Sequence, residues 1–184
     1  MPGFHKLQLA TALLAALSMG APATLLAAPL SDKPGTALAG DKDVNFLRKA
    51  AIAGHIEVDA SKLAAQRASS AAVKTFAAQM IKDHGAADEK IQQLAKKLGV
   101  QVPASPPDVQ KQELTELAAL QGSAFDAAYA RKIGVDAHQD AVSLFRDASE
   151  NAKHDDVKAF ATQTLPTLQK HLEMAKAMAA AVGK

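Results

Sequence analysis

The chain has 184 residues, 48% hydrophobic and 22% charged, and its 21 basic and 19 acidic side chains leave a formal net charge of +2. Charges that balance and alternate, without a basic stripe, exclude the electrostatic footprint of a nucleic-acid binder. The absence of cysteine excludes disulfides, thiolate chemistry and a lipid-anchored amino terminus, and abundant alanine with a single tyrosine favours helices packed through small side chains.

The chain opens with the features of an export signal over residues 1–28. His5 and Lys6 supply positive charge, Leu7 to Met19 form an apolar run too short to span a bilayer, and small residues from Gly20 to Ala28 offer cleavage positions. No later apolar run reaches membrane length, so the mature chain is expected to have no transmembrane segment and to be soluble in the periplasm or cell envelope. Residues 29–41 read as a flexible amino-terminal segment, and residues 42–184 as one helical domain.

Caps and breakers divide that domain into four long helices. The first starts near Asp41 or Asp43 and runs to about Ala68; Ser69 or Ser70 caps the second, which ends at Gly99. The third opens at Ser123, where Ser123-Ala-Phe-Asp126 has capping-box spacing, and runs to about Asn151; Asp155 caps the fourth, which runs to about Val182. Short connections make each successive pair an antiparallel hairpin. The longer stretch between Gly99 and Ser123, with a short helix from Ser105-Pro-Pro-Asp108 to about Leu120, can run the length of the bundle. The predicted fold is all-α: a ferritin-like four-helix bundle with one long crossover containing a short helix, with a plain up-down bundle as its rival. Val73-Lys-Thr-Phe-Ala-Ala-Gln79 in the second helix recurs as Val157-Lys-Ala-Phe-Ala-Thr-Gln163 in the fourth, as two similar hairpins would show.

Each long helix carries an apolar seam interrupted by one ionisable residue. Glu57 falls among Phe46, Ala50, Ala53, Ala60 and Ala64; His84 follows Val73, Ala77 and Met80; His138 lies between Gly134 and Ala141; His171 lies between Leu168 and Ala175. Counting residues from the two hairpin turns places all four near mid-bundle, within roughly 5 Å in height. Gly54, Gly85, Gly134 and Pro166 break helix rules close to these positions, and Pro166 is expected to bend the fourth helix or to force a π-type bulge.

One carboxylate and three imidazoles projecting inward at one level form a shell for a single transition metal, Zn²⁺, Fe²⁺, Mn²⁺ or Cu²⁺. The residues three positions before His84 and His171 are Ile81 and Leu168, so the two Glu-x-x-His motifs of a di-iron centre are missing. Asp83 and Tyr129 are the candidates to support the ligands from behind. His55 and His154 read as surface or helix-end residues. No nucleophile triad, phosphate loop or paired-carboxylate site is present, which points away from an enzyme. Two other readings stay open: a non-enzymatic envelope or interaction module in which the four residues form a buried polar network, and an amphipathic protein acting on lipid surfaces. A protein partner or a homo-oligomer is compatible with the sequence.

Glu57, the Phe76-Ala77-x-x-Met80-x-x-Asp83-His84 run, Phe125-Asp126 with Tyr129, His138, and Leu165-Pro166 followed by His171 together resemble the exported bacterial proteins grouped as domain of unknown function 4142. The resemblance spans about residues 42–180. It implies a ferritin-like four-helix fold and an envelope location, and supplies no activity. The outer-membrane label carried by some members finds no support in this sequence, which has neither barrel strands nor an anchor cysteine.

Overall fold

Apolar side chains recurring every three or four positions give each long segment one face that must be covered, and four such faces close on one another. The computed structural model of the protein describes residues 39–183. The expected export signal and residues 29–38 of the amino-terminal segment lie outside the described residues. The elements are α1 (Asp41–Arg67), α2 (Ala71–Leu98), α3 (Asp108–Ala118), then α4 (Gly122–Tyr129), a π-helical segment (Ala130–Asp136) and α5 (Ala137–Asn151) in unbroken succession, and α6 (Asp155–Val182). The succession from α4 to α5 is the third long helix of the bundle.

Two buried aspartates fix the topology. Asp43, in the first turn of α1, accepts hydrogen bonds from the backbone N–H groups of Lys153 and His154, at 3.0 and 2.9 Å, in the turn before α6. Asp126, near the start of the third long helix, accepts from the N–H groups of Ser69 and Ser70, at 3.1 and 2.8 Å, and from the Ser69 hydroxyl, in the turn before α2. The start of α1 thus meets the second hairpin's turn, and the start of α4 meets the first hairpin's turn. The end of α2 lies beside the start of α6, where Lys97 pairs with Asp156. The connection carrying α3 therefore runs the whole length of the bundle, and the fold is the ferritin-like four-helix bundle with a long crossover. Gly99 makes the sharp exit from α2: with φ of 66° it adopts the left-handed conformation, and the Val100 N–H returns to the Ala95 carbonyl at 2.8 Å.

These contacts correct three local expectations. Asp126 serves the other hairpin's turn, not a capping box with Ser123, and α4 has no side-chain cap of its own. The helix in the crossover begins at Asp108 without a cap bond from Ser105. The cap of α6 is His154, whose Nδ1 accepts from the Asp156 N–H at 3.2 Å, and not Asp155; His154 is buried at that helix end. The helical run of α6 is uninterrupted at Pro166, which faces solvent, so the Thr162 carbonyl it leaves unbonded is open to water. The π segment falls in the third long helix instead.

The two hairpins form an internal repeat, and the π segment is its one irregularity. Val73, Phe76 and Ala77 match Val157, Phe160 and Ala161, all buried. Between Asp43 and the buried Ala64 the first helix has one residue fewer than the third has between the corresponding Asp126 and Ala148. A π turn accommodates one inserted residue in an α-helix, and Ala130–Asp136 absorbs it. Gly134, within that segment, lies against α6 so closely that an added Cβ would come 2.9 Å from Met178 Cε and 3.3 Å from Ala175 Cβ.

The apolar core divides into two clusters. One gathers Phe76, Met80, Phe125 and Tyr129 near the first hairpin's turn; the other gathers Phe46, Phe145, Phe160 and Ile91 near the second's. The ionisable seam residues lie between them. Replacing Asp126 with Ala strands two backbone donors and a hydroxyl, and is expected to destabilise the fold by about 2–3 kcal/mol, with Asp126→Asn costing less because it keeps an acceptor. Urea denaturation of the purified variants measures this, and an Asp126→Ala midpoint equal to wild type would contradict it.

Candidate metal centre

Each of the four seam residues sits where its helix faces the other three, which is why burial is nearly complete: Glu57 is 1% exposed, His84 6%, His138 0% and His171 2%. The imidazole centroids of His84, His138 and His171 form a near-equilateral triangle with sides of 5.4, 5.5 and 5.5 Å. One ring nitrogen from each lies within 4.8 Å of those of the other two. Three points so spaced lie within about 2.8 Å of a common centre, against metal–nitrogen bonds of about 2.0–2.1 Å.

Every ring has one nitrogen engaged and one free. His84 Nδ1 meets Glu57 Oε2 at 2.8 Å, His138 Nδ1 donates to the Ile133 carbonyl at 3.0 Å, and His171 Nε2 donates to Asp83 Oδ2 at 2.9 Å. The remaining nitrogens, His84 Nε2, His138 Nε2 and His171 Nδ1, are buried without a hydrogen-bond partner, as is Glu57 Oε1. A carboxylate or carbonyl behind each ring is the arrangement that fixes the tautomer of a metal-binding histidine and aims its lone pair at the ion.

Electrostatics divides the group. Burial alone would raise the Glu57 carboxyl, but the charge and hydrogen bond of His84, with the charges of His138 and His171, hold it below the usual range. Burial would lower His84, and the Glu57 charge and hydrogen bond overcome it and raise the ring. His138 and His171 are lowered by burial, with His84 adding to the effect and the nearby carboxylates opposing it. The shifts at His138 and His171 favour the neutral form, the one that a metal requires.

The structure brings Glu57, His84, His138 and His171 together as the sequence spacing predicts, but Glu57 stands apart in role. Its oxygens lie on the Nδ1 sides of His84 and His138, the second at 3.6 Å, while the unpartnered nitrogens of those rings are on their far edges. Asp83 reaches His171 and also accepts from Gln79 Nε2 at 2.6 Å. Tyr129 does not reach the histidines; its hydroxyl pairs with Ser61 Oγ at 2.7 Å, and burial pushes the phenol well above its ordinary value. His55 lies outside the group, paired with Asp88 at 3.1 Å. The Ile133 carbonyl, within the π segment, was not legible as a partner, because no residue type signals a backbone acceptor.

A ferritin-like bundle with a buried three-histidine group at mid-length defines the class of this protein. Its family follows from sequence: the family model described as domain of unknown function (DUF4142) matches residues 27–178, and the chain belongs to that family. No curated protein matches it. The fold is similar to the crystal structure of a DUF305 protein from Streptomyces coelicolor, with a TM-score of 0.65 at 15% identity over 77% of this chain and 94% of that one. Among the described residues, no helix is long and apolar enough to cross a membrane.

The opposed shifts set a pH dependence for the metal-free protein. His138 and His171 have folded values below the ordinary 6.5, so their contribution to stability is complete above about pH 6.5 and is lost as pH falls through that value towards their folded ones. His84, raised, contributes in full below 6.5 and loses its contribution as pH rises through its folded value. His171→Gln, which can still donate to Asp83, is expected to flatten the decline in urea midpoint between about pH 7 and 5.5. An unchanged slope would contradict this account.

Proposed function

We propose that the protein is an exported metal-holding bundle in which His84 Nε2, His138 Nε2 and His171 Nδ1 bind one transition-metal ion. The observation that carries this reading is the set of three buried, unpartnered imidazole nitrogens on rings whose other nitrogens are all engaged. An unpaired polar atom in a core costs about 1–3 kcal/mol, and three on adjacent rings are a poor design for a network whose purpose is stability. A metal ion satisfies all three at once.

The donor chemistry narrows the ion. Three neutral imidazoles suit Zn²⁺, Cu²⁺ or Fe²⁺, whereas Mn²⁺ prefers oxygen donors and none is among the three. Two oppositely placed Glu-x-x-His motifs are absent, and the triangle of rings has room for one ion. Glu57 serves as the carboxylate that orients His84, and Asp83 does the same for His171, so the ligand set is three histidines rather than three histidines and Glu57. Export rests on the charged and apolar pattern of residues 1–28. Holding a metal, or a redox or stress role through it, is the function this geometry supports best.

Elemental analysis of protein purified from its native compartment is expected to find about one transition-metal equivalent per chain, and apo-protein is expected to gain about 2.7 kcal/mol of stability at a hundredfold excess of free metal over Kd. His84→Ala, His138→Ala and His171→Ala should each abolish that gain, whereas Glu57→Gln should retain the site with affinity reduced ten- to hundredfold. A metal-free wild type that none of Zn²⁺, Cu²⁺ or Fe²⁺ stabilises would leave a purely hydrogen-bonded polar core as the correct reading.

A further inference from the structure

The internal repeat predicts what should face each residue of the metal centre in the other half of the bundle, and the prediction fails in an informative way. At the spacing that relates Val73 to Val157, His84 corresponds to Leu168 and Ala87 to His171, while Asp83 corresponds to Thr167. Beyond the π segment the same spacing relates Gly54 to His138 and Glu57 to Ala141. A symmetric bundle would carry a second polar group at those mates. Instead they are small or apolar: Gly54, Ala87, Ala141, Thr167 and Leu168.

All five of these mates line one cavity of about 40 Å³, whose wall also includes Glu57, His84 and His171. Gly54 and Leu168 lie three residues before Glu57 and His171, and Ala87 and Ala141 three after His84 and His138, on helices whose directions place all four on the same side. The chamber therefore sits three residues, roughly 4.5 Å, along the bundle axis from the histidine layer. A Cβ added at Gly54 would meet nothing within 4 Å, so the glycine leaves space that a side chain would fill.

The polar atoms bordering this space are short of partners. Glu57 Oε1, His84 Nε2 and His171 Nδ1 are unpartnered, on side chains at least nine-tenths buried. A cavity holds a water once it offers about 10–15 Å³ to a water-sized probe, so this one has room for a molecule of two or three heavy atoms. Its walls are mainly apolar, and the Glu57 carboxylate at its border repels an anion. Three histidines also leave a tetrahedral ion one position short of a complete shell.

We infer that the chamber admits an uncharged ligand of two or three heavy atoms, dioxygen or a molecule of its size, to the fourth position of the metal held by His84, His138 and His171. The inference rests on the metal reading above and adds the ligand class and its route. The repeat explains how the space arose: the mates of His138, His171 and His84 in the opposite half of the bundle are Gly54, Ala87 and Leu168, none of them polar. The second half-site has become the ligand chamber.

Nitric oxide, uncharged and of dioxygen's size, is the probe. Wild type, Ala87→Leu and Gly54→Leu, which fill the chamber from different helices, are loaded with Fe²⁺ without oxygen and assayed for iron by elemental analysis. Each is then titrated with nitric oxide and followed by the electron paramagnetic resonance of the iron–nitrosyl. Circular dichroism establishes which variants fold, and leucine is a strong helix former at both positions. The expected result is equal iron in all three, nitrosyl formation in wild type, and nitric oxide affinity at least tenfold weaker in each folded variant. Iron-loaded wild type that forms no nitrosyl, or variants that bind nitric oxide as wild type does, would overturn the inference and leave the metal site standing. Failure of wild type to retain iron, copper or zinc would overturn the metal reading and this inference with it.

Discussion

The structure turns on the hydrogen bond that engages one nitrogen of each buried imidazole. Glu57, the Ile133 carbonyl and Asp83 each hold one ring nitrogen, and by doing so leave the other without a partner. Without those three partners the rings could satisfy one another and the layer would be an ordinary polar core. With them, one nitrogen of each ring is left buried and unpartnered, on three rings that each bring a nitrogen within 4.8 Å of the other two. The two apolar clusters on either side stabilise the bundle and so maintain a local arrangement that is unfavourable by itself.

The second constraint is the register of the hairpins, which sets the height of every group in that layer. Asp43 and Asp126 tie the start of each hairpin to the other hairpin's turn, so neither pair can slide without leaving buried backbone donors unpaired. The inserted residue in the third long helix is taken up between Asp126 and His138, by the π segment. It shifts His138 against the repeat and places the Ile133 carbonyl within reach of His138 Nδ1. Gly134 lets this wider stretch of helix lie against Met178 and Ala175. Local irregularity, close helix approach and the orientation of the His138 ring are one structural solution.

Much of this was legible in the sequence, because periodicity and turn position carry it. The seams located Glu57, His84, His138 and His171, and counting from the turns placed them at one level without any contact information. The long segment from Gly99 to Ser123 gave the crossover, and the absent Glu-x-x-His motifs removed a di-iron centre from consideration. What could not be read depends on tertiary direction. Asp126 has capping-box spacing from Ser123, and only the packed bundle shows its carboxylate turned to Ser69 and Ser70. In Ala130–Asp136 the one breaker, Gly134, does not distinguish a π segment from an α-helix, while Pro166, the conspicuous breaker, faces solvent where its missing hydrogen bond costs little. Whether Glu57 lies beside an ion or behind an imidazole is a matter of which ring edge it meets, and spacing along a helix is silent on ring edges.

In the proposed centre, three histidine nitrogens and no carboxylate make up the protein's share of a single metal's shell. X-ray absorption fine structure of the metal-loaded protein tests it most directly. Three nitrogen scatterers at about 2.0–2.1 Å with the outer-shell pattern of imidazole, and at most one further light atom, are expected. A shell dominated by oxygen, a metal–metal vector, or fewer than three imidazoles would contradict it.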